Sequence, residues 1–236
     1  MKGRDWYQEF DIAEEYDEKR FSRGGRLIDR REKDAVLDSV GSVEDRDVLE
    51  IACGTGRFSV MLAANGANVV GLDISDAMLA QGRRKAAELE IDDRVEFIRG
   101  DASRLPFPDD HFDIVLAMRF FHLMPEPAVF LEELERVTRD QLVFDTFNAR
   151  SFRRLYTWLL PMGSRLYTGE EVRRLLADSD LDLEAVRHDF IVPFGVYRAI
   201  PKALADAIYA VDRRALETGV GEGIASVSYW SASATD

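Results

Sequence analysis

The stretch Val48-Leu-Glu-Ile-Ala-Cys-Gly-Thr-Gly-Arg-Phe58 constrains this chain more than any other. A short apolar run carrying one acid, Glu50, runs into Gly54 and Gly56 and then into an apolar, helix-compatible segment. That order reads as a strand, a tight turn and a helix N-terminus. Glycines there permit positive φ and let a ligand come close to the backbone, so the segment suits a nucleotide-like cofactor. The dinucleotide fingerprint would need a third Gly or Ala three residues after the second glycine, and that place holds Ser59. A pyrophosphate also prefers amide donors and a helix N-terminus with no anion nearby. Glu50 therefore speaks for a cationic ligand rather than a diphosphate.

Two further strand ends carry acids. Asn68-Val-Val-Gly-Leu-Asp73 places Asp73 nineteen residues beyond Gly54, about the spacing at which an acid reaches ribose hydroxyls. Arg94-Val-Glu-Phe-Ile-Arg-Gly-Asp-Ala102 ends in Asp101, and a fourth strand closes on Met118. Strands at 47–52, 68–73, 94–99, 112–118 and 141–146 alternate with helices at 56–65, 75–89 and 127–137. Ser75 is a candidate N-cap, and Asn65-Gly66 a helix stop. Such alternation implies a parallel sheet with right-handed crossovers and helices on both faces. Ligands of such sheets bind beyond the strands' carboxyl ends at the switch point, where Glu50, Asp73, Asp101 and Met118 all fall.

From about Asp47 to Asn148 the chain resembles the class I S-adenosylmethionine (SAM)-dependent methyltransferases of the small-molecule kind, related to the ubiquinone and menaquinone biosynthesis enzymes. The resemblance implies an α/β, Rossmann-like doubly wound fold: a mostly parallel seven-stranded sheet with an antiparallel last strand. It implies that Glu50 and the turn at Ala52, Gly54 and Gly56 hold the methionine part of SAM. Asp73 would take the ribose hydroxyls, Ile74 and Met78 would pack near the adenine, Asp101 and the backbone of Ala102 would read the ring, and Met118 would close the pocket. Tyr16 would touch the cofactor from a lid formed by the N-terminal segment. Two places depart from the family pattern. Ala52 stands where glycine is common, and Thr138-Arg-Asp-Gln141 replaces a glycine-containing turn.

The 236 residues are expected to form one domain: an N-terminal lid or cap over 1–40, a cofactor core over 41–148, and acceptor-pocket helices with the last two strands over 149–236. Residues 5–21 mix aromatics and acids and read equally as lid or as an amphipathic surface helix. Helices are expected at 26–40, 150–160, 168–178 and 201–217, and strands at 182–192 and 225–230. Thr168-Gly-Glu-Glu171 is a capping box. Tyr156, Trp158, Met162, Tyr167, Phe194, Tyr197 and Tyr209 suit an apolar or aromatic acceptor or ordinary core packing. A net charge of −13 disfavours nucleic acid as partner. No run approaches the roughly 18 apolar residues of a membrane span. The N-terminus shows no apolar signal region, and Cys53 is the single cysteine, so a cytoplasmic location is expected. Oligomeric state stays open, a homodimer included. The arginine pairs read as solvated faces.

Methyl transfer from a sulfonium needs alignment and exclusion of water more than a fixed triad. His122, just past the fourth strand, is the candidate base or acceptor-orienting residue. His111 reads as a turn residue and His188 as structural, Arg119 as an acceptor-carboxylate ligand or a partner of surface acids, and Cys53 as packing. No metal spacing is legible. The alternatives are a nicotinamide-dependent oxidoreductase, against which Glu50 and Ser59 weigh, and a non-catalytic SAM-binding protein.

Overall fold

A computed structural model describes residues 24–154, 164–219 and 222–235. Seven strands form one sheet: β1 (Asp47–Ile51), β2 (Asn68–Asp73), β3 (Val95–Arg99), β4 (Phe112–Ala117), β5 (Thr138–Phe147), β6 (Leu181–Asp189) and β7 (Val227–Ala234). Their order is β3-β2-β1-β4-β5-β7-β6. Only β7 runs against its neighbours β5 and β6. The direction of winding reverses between β1 and β4, which opens the switch point at their carboxyl ends.

Period-two alternation sorts the strand residues onto two cores. Val48, Ile114, Leu116, Val143 and Tyr229 face one side with α1 (Gly25–Val40), α2 (Arg57–Ala64), α3 (Asp76–Glu88), α6 (Phe194–Ala199) and α7 (Lys202–Glu217). Leu49, Ile51, Val115, Leu142 and Trp230 face the other with α4 (Pro127–Val137) and α5 (Gly169–Ala177). The expected caps form. Ser75 Oγ accepts from the Met78 amide at 3.3 Å, and Thr168 Oγ1 from the Glu171 amide at 3.2 Å. Gly66 follows α2 with φ +93°.

Some boundaries differ from the sequence reading. α4 passes into β5 at Thr138 with no intervening turn, and Thr138 Oγ1 donates back to the Leu134 carbonyl at 2.6 Å. The pairing slips there: Phe112 faces Thr138, but Ile114 faces Gln141. A bulge thus stands at the residues that depart from the glycine-containing turn the resemblance implies. The last strand extends to Ala234. α6 is an unexpected helix, started after Pro193 in a stretch of only six residues. Most of the helix expected over 150–160, with Tyr156 and Trp158, and also Met162, Tyr16 and the 5–21 segment, lies outside the described residues. Among the described residues no helix is long and apolar enough to cross a membrane.

Candidate active site at the carboxyl edge of the sheet

The turn after β1 is built from left-handed residues: Ala52 at φ +48°, Gly54 at +56° and Gly56 at +70°. The Gly56 amide closes it on the Cys53 carbonyl at 3.0 Å, and the Cys53 amide ties it to Leu72 of β2 at 3.1 Å. The glycines have different jobs. A Cβ on Gly56 would stand 2.5 Å from the Phe97 ring, and the same ring is closed in by Gly71 and Gly82. Those three are small so that α2, α3 and the sheet can close around one aromatic ring. A Cβ on Gly54 would meet nothing within 4 Å. Gly54 therefore keeps the backbone open to an approaching ligand. From below, Lys85 Nζ donates to the Thr55 carbonyl at 2.9 Å and pins the turn to α3.

Glu50 lies beneath this turn. Alternation points it to the side of Val48, under α2, where Oε2 accepts from the Ser59 amide at 2.7 Å and from the Ser59 hydroxyl. Burial pushes its carboxyl up to about 7 against the pull of Ser59 and Arg57. The carboxylate, 2% exposed, organises the helix start. Ser59, which breaks the dinucleotide pattern, is its partner. Cys53 is buried, and burial raises its thiol well above the usual range, with the negative charges of Glu50 and Asp73 adding to the effect. It packs as expected.

Asp73 closes β2 and reaches across to the turn. Oδ2 accepts from the Gly54 amide at 2.9 Å and Oδ1 from the Ser75 amide at 2.9 Å. Burial raises its carboxyl, opposed by these amides. A carboxylate offers about four lone-pair sites, and this one is half-buried at the crevice with the Ser75, Gly54 and Ile74 amides against it. Ile74 is half-buried beside it and Met78 is buried. Past β3, Asp101 is exposed and folds back on Ser103, accepting from its amide at 3.0 Å and its hydroxyl at 2.9 Å; Ala102 is buried. Met118, buried, directly follows β4 on the far side of the switch point. Glu50, Ala52, Gly54, Gly56, Asp73, Ile74, Met78, Asp101, Ala102 and Met118 thus gather around the ends of four adjacent strands.

Beyond β4 the edge is aromatic. His122 sits in a single 3-10 turn, its ring 4.8 Å from that of Phe147 at the end of β5. Phe147 also meets Phe194 of α6 at 6.2 Å. Tyr167 is buried and donates to the Phe121 carbonyl at 2.9 Å. Tyr197 and Tyr209 are core residues bonded to Asp212 and Asp189. Of the other histidines, His111 is exposed at the opposite edge, and His188 Nδ1 meets Ser228 Oγ at 2.9 Å. Arg119 is engaged by buried acids, Glu32 and Asp145, rather than by surface ones. Arg153 is another departure from solvated arginines. It is buried, with its guanidinium 3.5 Å from the Phe147 ring centre.

A family model described as a methyltransferase domain matches residues 48–141. A demethylmenaquinone methyltransferase of Beutenbergia cavernae is 36% identical over 166 residues, covering 66% of each chain. A fatty-acid O-methyltransferase of Mycolicibacterium smegmatis is 37% identical over 173 residues, 72% of this chain and 56% of that protein. The fold is shared with geranyl diphosphate C-methyltransferase from Streptomyces coelicolor A3(2), solved with S-adenosyl-L-homocysteine: TM-score 0.67, 18% identity, covering 87% of this chain and 78% of that one. The chain belongs to the class I SAM-dependent methyltransferases. It spans 42% to 66% of the length of the first curated relatives it matches. The matched domain contains the glycine turn, Asp73, Asp101 and Met118, and a nicotinamide-dependent oxidoreductase is not favoured by it.

One cluster near this methyltransferase crevice was not anticipated from sequence: Asp29, Glu32, Arg57, Arg119 and Asp145. The signal was present. Glu32 stands four residues after Ile28 and four before Val36, in the middle of the buried face of α1.

Proposed function

We propose that this chain methylates a small apolar or aromatic acceptor, with SAM as methyl donor. The observation that carries the reading is the open approach over Gly54, held by the Asp73 carboxylate and bordered by the ends of β3 and β4. The cradle fits the cofactor. Gly54 leaves room for its amino-acid arm over the turn that Gly56 closes, and the Asp73 carboxylate would accept from its vicinal hydroxyls. Ile74 and Met78 supply apolar surface for adenine, Asp101 and the Ala102 amide supply polar contacts to the ring edge, and Met118 closes the far side. Tyr16 would cover it. Glu50 acts through Ser59, and Ala52 through the shape of the turn.

When bound, SAM supplies an electrophilic methyl group on a positively charged sulfur that departs as a neutral thioether. The chain's own work is then alignment and exclusion of water. Phe120 and Phe121, whose ring centres lie 5.5 Å apart, and Phe147 are buried near the edge where an acceptor would lie. His122 is the group placed to orient an acceptor hydroxyl or carry its proton. The relatives named for quinone-type and fatty-acid acceptors support an apolar substrate, and the net charge of −13 supports a small molecule over nucleic acid. The test is a screen with methyl-labelled SAM against fractionated cell metabolites. Label should enter a solvent-extractable small molecule and require Asp73. Label found only in protein or RNA would contradict the acceptor class.

A further inference from the structure

Glu32 is fully buried, a rare state for a carboxylate unless it is paired. One oxygen stands 2.5 Å from Arg57 Nη2, and the other is paired with Arg119 Nη2. Arg57 is the first residue of α2, directly after Gly56, and its second partner is Asp29 at 2.9 Å. Arg119 directly follows Met118. It has a left-handed φ of +60°, uncommon for a residue with a side chain. Its Nη1 holds Asp145 at 3.0 Å, its amide donates to the same carboxylate, and its guanidinium lies 4.8 Å and 4.7 Å from the ring centres of Phe147 and Phe194. Strained backbone of this kind persists where its surroundings over-determine it. The Tyr229 hydroxyl, across the sheet from Asp145 and without a hydrogen-bond partner, is buried in the same polar cluster.

We propose that Glu32 is a positioning residue for the methyl-transfer site. Its carboxylate locks the start of α2, and with it the glycine turn, to the residue that leaves β4 beside Met118. The donor cradle and the acceptor side are thereby held in one fixed relation. The role rests on the methyltransferase reading. An apolar residue could fill the same space, but it would leave Arg57 and Arg119 without the partner that fixes both at once.

Glu32→Gln, Glu32→Asp and Asp34→Asn test the idea. Asp34 lies on the same helix, is half-buried and pairs with Arg31 at 3.1 Å. S-adenosylhomocysteine affinity is read by calorimetry, fold by circular dichroism, and local opening by amide hydrogen exchange. Glu32→Gln should fold, bind about tenfold more weakly, the size of one modest coupling, and exchange faster at 53–58 and 117–121 but not over α5. Glu32→Asp should recover most of the affinity, and Asp34→Asn should match the parent. Unchanged affinity in Glu32→Gln overturns the proposal. So does wholesale unfolding of both Glu32 variants, which would make the carboxylate a matter of stability alone. A parent protein that does not bind S-adenosylhomocysteine overturns the methyltransferase reading with it, and is recognised because parent and variants then fail alike.

Discussion

Replacing Glu50 with Gln should stabilise the protein above neutral pH and leave it nearly unchanged in mild acid. The carboxyl is buried under α2, and burial lifts it from an ordinary 4.5 to about 7. At about 1.4 kcal/mol per pH unit this amounts to about 3 kcal/mol. Because the folded value is the higher one, the native state binds the proton more tightly than the unfolded chain does. Stability attached to this group is therefore complete below about pH 4.5 and declines as pH rises to about 7. Gln has nearly the same shape, can still accept from Ser59, and carries no charge to desolvate. Urea unfolding of both proteins at several values from pH 5 to 8 measures the effect, since the difference between them cancels every other titrating group. The gap should open in favour of Gln by about 3 kcal/mol across that range. A constant offset from altered bonding to Ser59 leaves the slope untouched, so the slope is the decisive quantity. A difference that does not vary with pH would refute the claim that Glu50 is a desolvated acid under the turn rather than a solvated one beside a ligand.

Ala52→Gly should raise stability by about 1 kcal/mol or slightly less, because glycine relieves the left-handed φ at a small entropic loss; unfolding by urea with unchanged homocysteine-cofactor affinity checks it. Gly54→Ala and Gly56→Ala should part company. The first places a methyl group in open space and should impair ligand binding well beyond its effect on stability, whereas the second collides with Phe97 and should destabilise the fold itself, as thermal melts and calorimetry will separate. His122→Ala should retain cofactor affinity and lose turnover once an acceptor is in hand, and unchanged turnover would remove it as base.

The alternating core was legible because parallel strands and their crossover helices carry local signals: apolar runs, acids at strand ends, Ser75 and Thr168 as caps. The site was legible for a related reason, since Gly54, Asp73, Asp101 and Met118 each fall at a strand's carboxyl end, where topology alone brings them together. The bonds of Glu50 to Ser59 were not. The motif places it next to the turn, but the side of the strand it faces decides whether it meets ligand or helix. Its alternation with Val48 carried that information. The α1 cluster was harder still. Glu32 meets Arg57 and Arg119, respectively 25 and 87 residues away, and no local pattern encodes pairings at such separations. The same holds for the bulge at Thr138, which depends on register between β4 and β5.

A crystal grown with S-adenosylhomocysteine tests the central claim most directly. The nucleoside should lie over Gly54 with both ribose hydroxyls on the Asp73 carboxylate and the adenine between Met78 and Ala102. Density for the compound elsewhere on the molecule, with the surface above Gly54 empty at saturating concentration, would contradict it.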